Sequence, residues 1–238
     1  MGHRGASALA PENTLEALRL AVELGCDMLE FDVLDLADGT LVLVHELRRS
    51  ERRQSLHALR ELTPAVPTLD ETLAFCAEQL PGIGLQVDLK RRGVERAVLD
   101  ALRRHGVLER SWISTFDAAS LRRIAELEPE LPRSYTFPRD RLGISRRGPL
   151  APVVRGALAS FGASLPRRLP GLLARSRAVA LTLHHSVASP AAIARAHELD
   201  AAVYVWTVDD LALAERLVRA GADGIITNDP RVFTGLTT

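Results

Sequence analysis

Residues 28–34 read Met28-Leu29-Glu30-Phe31-Asp32-Val33-Leu34, and their alternation decides how the rest of the chain is read. Leu29, Phe31 and Val33 fall on one face of an extended segment, and Glu30 and Asp32 fall on the other. That period of two is the one a β-strand requires. Ahead of it, residues 15–24 are rich in Ala, Leu and Glu and read as a helix, with Asn13 and Glu16 at capping-box spacing. After it, an Asp38-Gly39 turn signal precedes a short apolar run at 41–44.

The same alternation continues outward. Strands are predicted at 84–90, 111–116, 133–137, 163–165, 178–184 and 202–206, with a last apolar run at 224–226. Helical patterns occupy 68–79, 94–105, 118–127, 150–160, 190–199 and 210–220. Strands separated by helices favour a parallel sheet with crossover helices. A strand count near eight favours a closed (β/α)8 TIM barrel, an α/β fold, over an open doubly wound sheet. No long linker or like-charge block interrupts residues 1–238, so one barrel domain is expected. Only Met1 and Gly2 precede His3-Arg4, which is short for a barrel strand. The first strand is therefore expected to be a stub or to begin upstream, and a stub would leave neighbouring edges unpaired.

Composition narrows the function. The 238 residues carry 30 Lys+Arg and 30 Asp+Glu, a formal net charge of zero. Nucleic-acid proteins and basic membrane-surface proteins usually carry a positive field, so both classes are disfavoured. With 47% apolar residues the chain can bury a core, which excludes general disorder. Cys26 and Cys76 are too few for a disulfide framework and read as buried thiols. The sequence carries no secretory leader pattern, and no apolar stretch approaches the ~20 residues of a membrane span. A cytoplasmic protein without stable membrane insertion is the expectation.

Polar residues gather at the predicted strand ends, where barrel enzymes assemble their sites. They are His3 and Arg4, Glu30 and Asp32, Asp88 and Lys90, Ser114, His184 and His185, and Trp206. Taken singly, strand-end carboxylates often cap the next helix, and a lone His or Trp is more often packing. Their joint placement on one rim favours chemistry. Glu30, Asp32 and Asp88 would repel strongly without a cation, and such hard oxygen donors suit Mg2+ or Ca2+ better than zinc. His45 follows the 41–44 run, and with His3 it could flank that cation as acid and base. For His184 and His185, substrate contact and packing remain equal alternatives.

His3-Arg4-Gly5 followed by Pro11-Glu12-Asn13-Thr14 resembles the opening signature of glycerophosphodiester phosphodiesterases. Glu30-Phe31-Asp32, Asp38-Gly39 and His45 resemble its continuation, and Trp206-Thr207-Val208 and 221–230 resemble its closing segments. The resemblance implies a barrel in which Glu30, Asp32 and Asp88 bind a divalent metal and His3 and His45 serve as acid and base. Arg4 and Lys90 would hold the phosphate, and Trp206 would wall the alcohol pocket. The substrate would be a small glycerophosphodiester, cleaved to glycerol 3-phosphate and an alcohol. Rivals are a lysophospholipase D or lyase-type phospholipase on the same barrel, or a catalytically impaired module that binds phosphorylated ligands.

The chain departs from the family's pattern in two further ways. Asp88 stands where the family usually has Glu, and Asp is shorter by roughly 1.3 Å against a ligand-distance tolerance of ~0.2 Å. A closer strand, a bridging water or a weaker site would follow. Glu46 follows His45 where Asp is usual, and the segment up to Pro67 is short, which bears on head-group preference. Among 30 basic residues Lys90 is the single lysine. A compact ammonium beside a metal and a phosphate does a job that a guanidinium would do differently. The arginine-rich loop at 138–149 reads as a solvated segment, with steering of anionic substrates as the alternative.

Overall fold

Strand β2, Met28–Asp35, is the spine on which the sheet is built. The computed structural model describes residues 1–138 and 151–235, and side chains for all of these except 151–161. On one side β2 pairs in parallel with β1, Gly2–His3, and on the other with β4, Gly84–Leu89. The β2–β4 register sets Glu30 opposite Gln86 and Asp32 opposite Asp88. Onward from β4 the parallel order runs through β5 (Ser111–Thr115), β6 (Arg133–Phe137), β7 (Ala180–His184), β8 (Ala202–Trp206) and β9 (Gly224–Ile225). A short β3, Leu41–Leu43, lies off this path and pairs antiparallel with β2.

β1 is a two-residue stub, yet its edges are paired. His3 N donates to Thr227 O at 2.8 Å and Thr227 N donates to Met1 O at 3.1 Å, so the sheet closes on itself. The expected open edge is absent because the segment after β9 supplies the missing partner.

The crossovers are α1 (Leu15–Glu23), α2 (Leu56–Leu62), α3 (Leu69–Gln79), α4 (Glu95–Arg104), α5 (Ala118–Leu127), α6 (Ala151–Ser176), α7 (Pro190–His197) and α8 (Leu211–Arg219). Their apolar stripes pack onto the barrel: Val98, Leu99 and Leu102 of α4 are buried, as are Ile193 and Ala196 of α7. Each such Val, Leu or Ile side chain contributes about 1.5–3 kcal/mol when fully buried. Cys26 and Cys76 are both buried free thiols. Among the described residues no helix is long and apolar enough to cross a membrane.

Two local expectations are corrected. Residues 163–165 are not a strand but the interior of α6, which continues through Pro166 and Pro170. Three residues are too few to display either period, and the prolines read as breaks. With that helix in place, His184 ends the sixth barrel strand and Trp206 the seventh, and β9 supplies the eighth. The cap of α1 is Thr14, which accepts from Ala17 N, and not Asn13. Asn13 is taken by a tertiary partner described below. The arginines of the 138–149 loop lie outside the described residues.

Candidate active site

Strands β2 and β4 bring Glu30, Asp32 and Asp88 together, each buried. Each offers one carboxylate oxygen, and these atoms lie within 4.8 Å of one another. Lys90, just beyond β4, bridges two of them: its Nζ is 2.5 Å from Asp32 Oδ1 and 2.5 Å from Asp88 Oδ2. Arg4 closes the other side, with Nε 3.0 Å from Asp32 Oδ2 and Nη1 2.7 Å from Glu12 Oε2. The Arg4 backbone N–H donates to Glu30 Oε2 at 2.9 Å. The turn that aims it is tight. Arg4 has φ 55°, and Gly5 has φ 79° with a hypothetical Cβ only 2.4 Å from the Ala17 backbone, so glycine is required there.

The carboxylates differ in electrostatic state. Burial opposes ionisation of Asp32, but Lys90 and Arg4 outweigh it and hold that carboxyl well below the usual range. Burial and the neighbouring Asp32 push Glu30 well above it. Lys90, despite burial, is driven upward by Asp32 and Asp88. A third negative charge in this cluster therefore needs another cation. These three carboxylates could hold a metal ion.

His3 and His45 both face the same cavity as Glu30, Asp88 and Lys90. Burial, then Arg4, pushes His3 down to about 4; burial also lowers His45. The His3 ring is held by a relay. Asn228 Nδ2 donates to Asp209 Oδ2 at 2.7 Å, and Asp209 Oδ1 accepts from Asn228 N at 2.7 Å and Thr227 Oγ1 at 2.9 Å. A carboxylate only accepts, so Asn228 must turn its amide oxygen to His3 Nδ1, 2.7 Å away. Nδ1 then carries the proton, and in the neutral ring Nε2 is left with the lone pair.

Trp206, at the end of β8, forms a wall with its ring 6.4 Å from His3 and 6.1 Å from Phe116. His184 packs edge-on against Trp206 at 5.2 Å, and His185 Nδ1 pairs with Thr207 O at 2.9 Å. Both are half-buried. Eight of the residues singled out from the sequence thus converge on one cavity: His3, Arg4, Glu30, His45, Asp88, Lys90 and Trp206 line it, and Asp32 is buried behind them.

Sequence reasoning marked Ser114 as a strand-end candidate without a role, and it missed what holds the other groups in place. Asn13 grips Asp32 twice, donating from Nδ2 to Oδ2 at 3.0 Å and accepting from Asp32 N at 3.0 Å. Ser114 Oγ donates to Asp88 Oδ1 at 2.6 Å. Phe116 directly follows a strand end, which could have marked it; Asp209 carries no local signal, since its partners lie 18 and 19 residues away.

Comparison with known proteins completes the description. Residues 3–232 match the model of the glycerophosphoryl diester phosphodiesterase family. The chain is 26% identical over 258 residues to a glycerophosphodiester phosphodiesterase of Caldanaerobacter subterraneus subsp. tengcongensis, covering 99% of this chain and 96% of that one. A glycerophosphodiester phosphodiesterase structure from Thermotoga maritima matches with TM-score 0.73 at 24% identity, over 100% of this chain and 97% of that one. An Oleispira antarctica phosphodiesterase, solved with the product sn-glycerol-3-phosphate, matches with TM-score 0.76 at 23% identity, over 98% and 94%. At these identities the two structures speak to the shared barrel fold.

Proposed function

This chain belongs to the glycerophosphoryl diester phosphodiesterase family, and from that membership we propose that it hydrolyses glycerophosphodiesters to glycerol 3-phosphate and an alcohol. The observation that carries the reading is the convergence of Glu30, Asp32 and Asp88 beside Lys90 and Arg4, with two histidines on the same cavity. Glu30, Asp32 and Asp88 would hold Mg2+ or Ca2+, which when bound supplies Lewis-acid polarisation of a phosphoryl oxygen. Arg4 and Lys90 orient the phosphate and offset the charge that grows on its oxygens.

His3 is suited to accept a proton at Nε2 from the attacking oxygen, either water or the substrate's own glycerol hydroxyl. His45, entering the cycle protonated, donates its proton to the departing alkoxide, and exchange with solvent resets both rings; where the glycerol hydroxyl attacks, water then opens the cyclic phosphodiester that it forms. Trp206, backed by Phe116, walls the alcohol pocket and keeps water from that side. On this reading residues 1–238 form one catalytic domain that acts in the cytoplasm on a small soluble diester, without nucleic acid or stable membrane insertion.

The test is incubation with glycerophosphocholine and Mg2+, Ca2+ or EDTA, with detection of glycerol 3-phosphate and choline. Turnover with metal and none with EDTA is expected. No turnover under any metal would favour a module that only binds phosphorylated ligands.

One observation supports a second reading. A groove shares Arg4 and His45 with the cavity and continues past Leu47, Leu59 and Leu62 of the α2 region. Such a lining suits an apolar chain, as in a lysophospholipase D. Release of choline from lysophosphatidylcholine at a rate matching glycerophosphocholine would favour it.

A further inference from the structure

One polar group in the cavity has no part in the mechanism above. Gln86 lies on β4 two residues before Asp88, on the same strand face, and its Cα is the register partner of Glu30. It is 1% exposed and lines the cavity together with Glu30 and Asp88. Its Nε2 donates to Ser114 Oγ at 2.9 Å, and Ser114 Oγ in turn donates to Asp88 Oδ1 at 2.6 Å. The serine proton is therefore committed to the carboxylate, so Ser114 can only accept from Gln86. That fixes the amide with its nitrogen toward Ser114 and Oε1 turned away from it. Gln86 Oε1 is buried and has no hydrogen-bond partner among the described residues. Buried carbonyl oxygens left unpaired are rare, and each calls for a reason.

We propose that Gln86 Oε1 is a fourth protein ligand to the divalent cation held by Glu30, Asp32 and Asp88. The inference rests on the metal reading of the site given above. Adjacent strands β2 and β4 present four inward side chains as a two-by-two array, Glu30 beside Gln86 and Asp32 beside Asp88. Hard cations accept amide carbonyl oxygens alongside carboxylates. A neutral amide also adds a donor without adding to the repulsion among three carboxylates. It offsets the shorter reach of Asp88, and the Ser114 link ties the aim of the amide to that of the carboxylate.

Titration calorimetry of the whole protein with CaCl2 and MnCl2, without substrate, tests the proposal. Gln86→Leu is expected to weaken binding at least about 10-fold, the lower end for groups that support a metal site. Gln86→Glu, which keeps the oxygen, is expected to bind at least as tightly as wild type. Ser114→Ala separates direct ligation from positioning: the double variant should bind more weakly than Ser114→Ala alone. Unchanged affinity in Gln86→Leu overturns the proposal, as does a double variant no weaker than Ser114→Ala. Should Gln86→Leu fail to fold, the wild-type protein labelled with 13C at glutamine side-chain carbonyls serves instead. Its infrared band should shift on adding Ca2+, and a band that does not move overturns the assignment. A wild-type protein that binds neither ion defeats the metal reading itself, an outcome distinct from loss of the Gln86 role alone.

Discussion

On the side of the barrel built from β1, β2 and β4, the mouth is lined by His3, Arg4, Glu30, Asp88 and Lys90, with Asp32 buried behind them. On the side built from β6 to β8 it is lined by Thr136, Thr182 and Trp206. The hydroxyls of Ser134 and Thr182 pair with each other at 2.6 Å, and Trp206 Nε1 donates to Thr182 O at 3.2 Å. The first side holds charges that balance only as a group, whereas the second is neutral, with Ser134, Thr182 and Trp206 paired bond by bond and only Thr136 Oγ1 buried without a partner among the described residues. Substitutions on the charged side should therefore propagate, and those on the neutral side should stay local.

The largest effect is expected at Asp32, the shared partner of Lys90 and Arg4. Asp32→Ala leaves both cations short of a buried partner and should cost about 3–5 kcal/mol in urea unfolding. A loss no larger than that of a single neutral hydrogen bond would break the contrast between the two sides. Next comes His45→Ala, expected to lower kcat at least ~10²-fold, or about 2.7 kcal/mol. Its stability should stay within about 1 kcal/mol of wild type, and an unchanged rate would remove His45 from the mechanism. Gly5→Ala places a Cβ against the Ala17 backbone at positive φ. It should cost about 1–3 kcal/mol by thermal melting, and a neutral outcome would show that the Arg4 turn relaxes freely.

On the neutral side, Ser134→Ala removes the bond to Thr182 and should cost about 1 kcal/mol, with kcat little changed. A further effect is one of pH. Burial, then His185, pushes His184 from 6.5 down to about 4, so between those values the unfolded chain binds a proton that the folded one does not. The His184 contribution is complete above pH 6.5 and is lost as pH falls toward 4. Relative to wild type, His184→Gln should gain stability only in that window, read as the urea midpoint against pH. A constant difference across it would mean that His184 titrates normally.

Much of the site was legible because strand geometry is periodic. Glu30 and Asp32 share a face at i and i+2 whatever surrounds them, as do Asp88 and Lys90. Strand ends in an alternating α/β pattern point to one rim. What escaped were groups whose partners are distant in the chain. Asn13 has capping chemistry, and local spacing assigned it to α1, but Asp32 claims it across 19 residues. Asn228 lies 225 residues from the His3 ring it orients. The missed helix at 163–165 has a different cause: three residues hold less than one turn, and the two prolines imitate a break.

By itself the sequence determined which side chains travel together, since the period of two and the single lysine at Lys90 are properties of the chain alone. Only the tertiary structure decided which of those sets meet. Closure through Thr227 pairs both edges of a two-residue first strand, and the β2–β4 register sets Glu30 beside Gln86 and Asp32 beside Asp88. The physical reason is that a strand's faces follow from local backbone geometry. Its register follows from burial across the whole sheet, where a slip of one residue would turn the charged face outward.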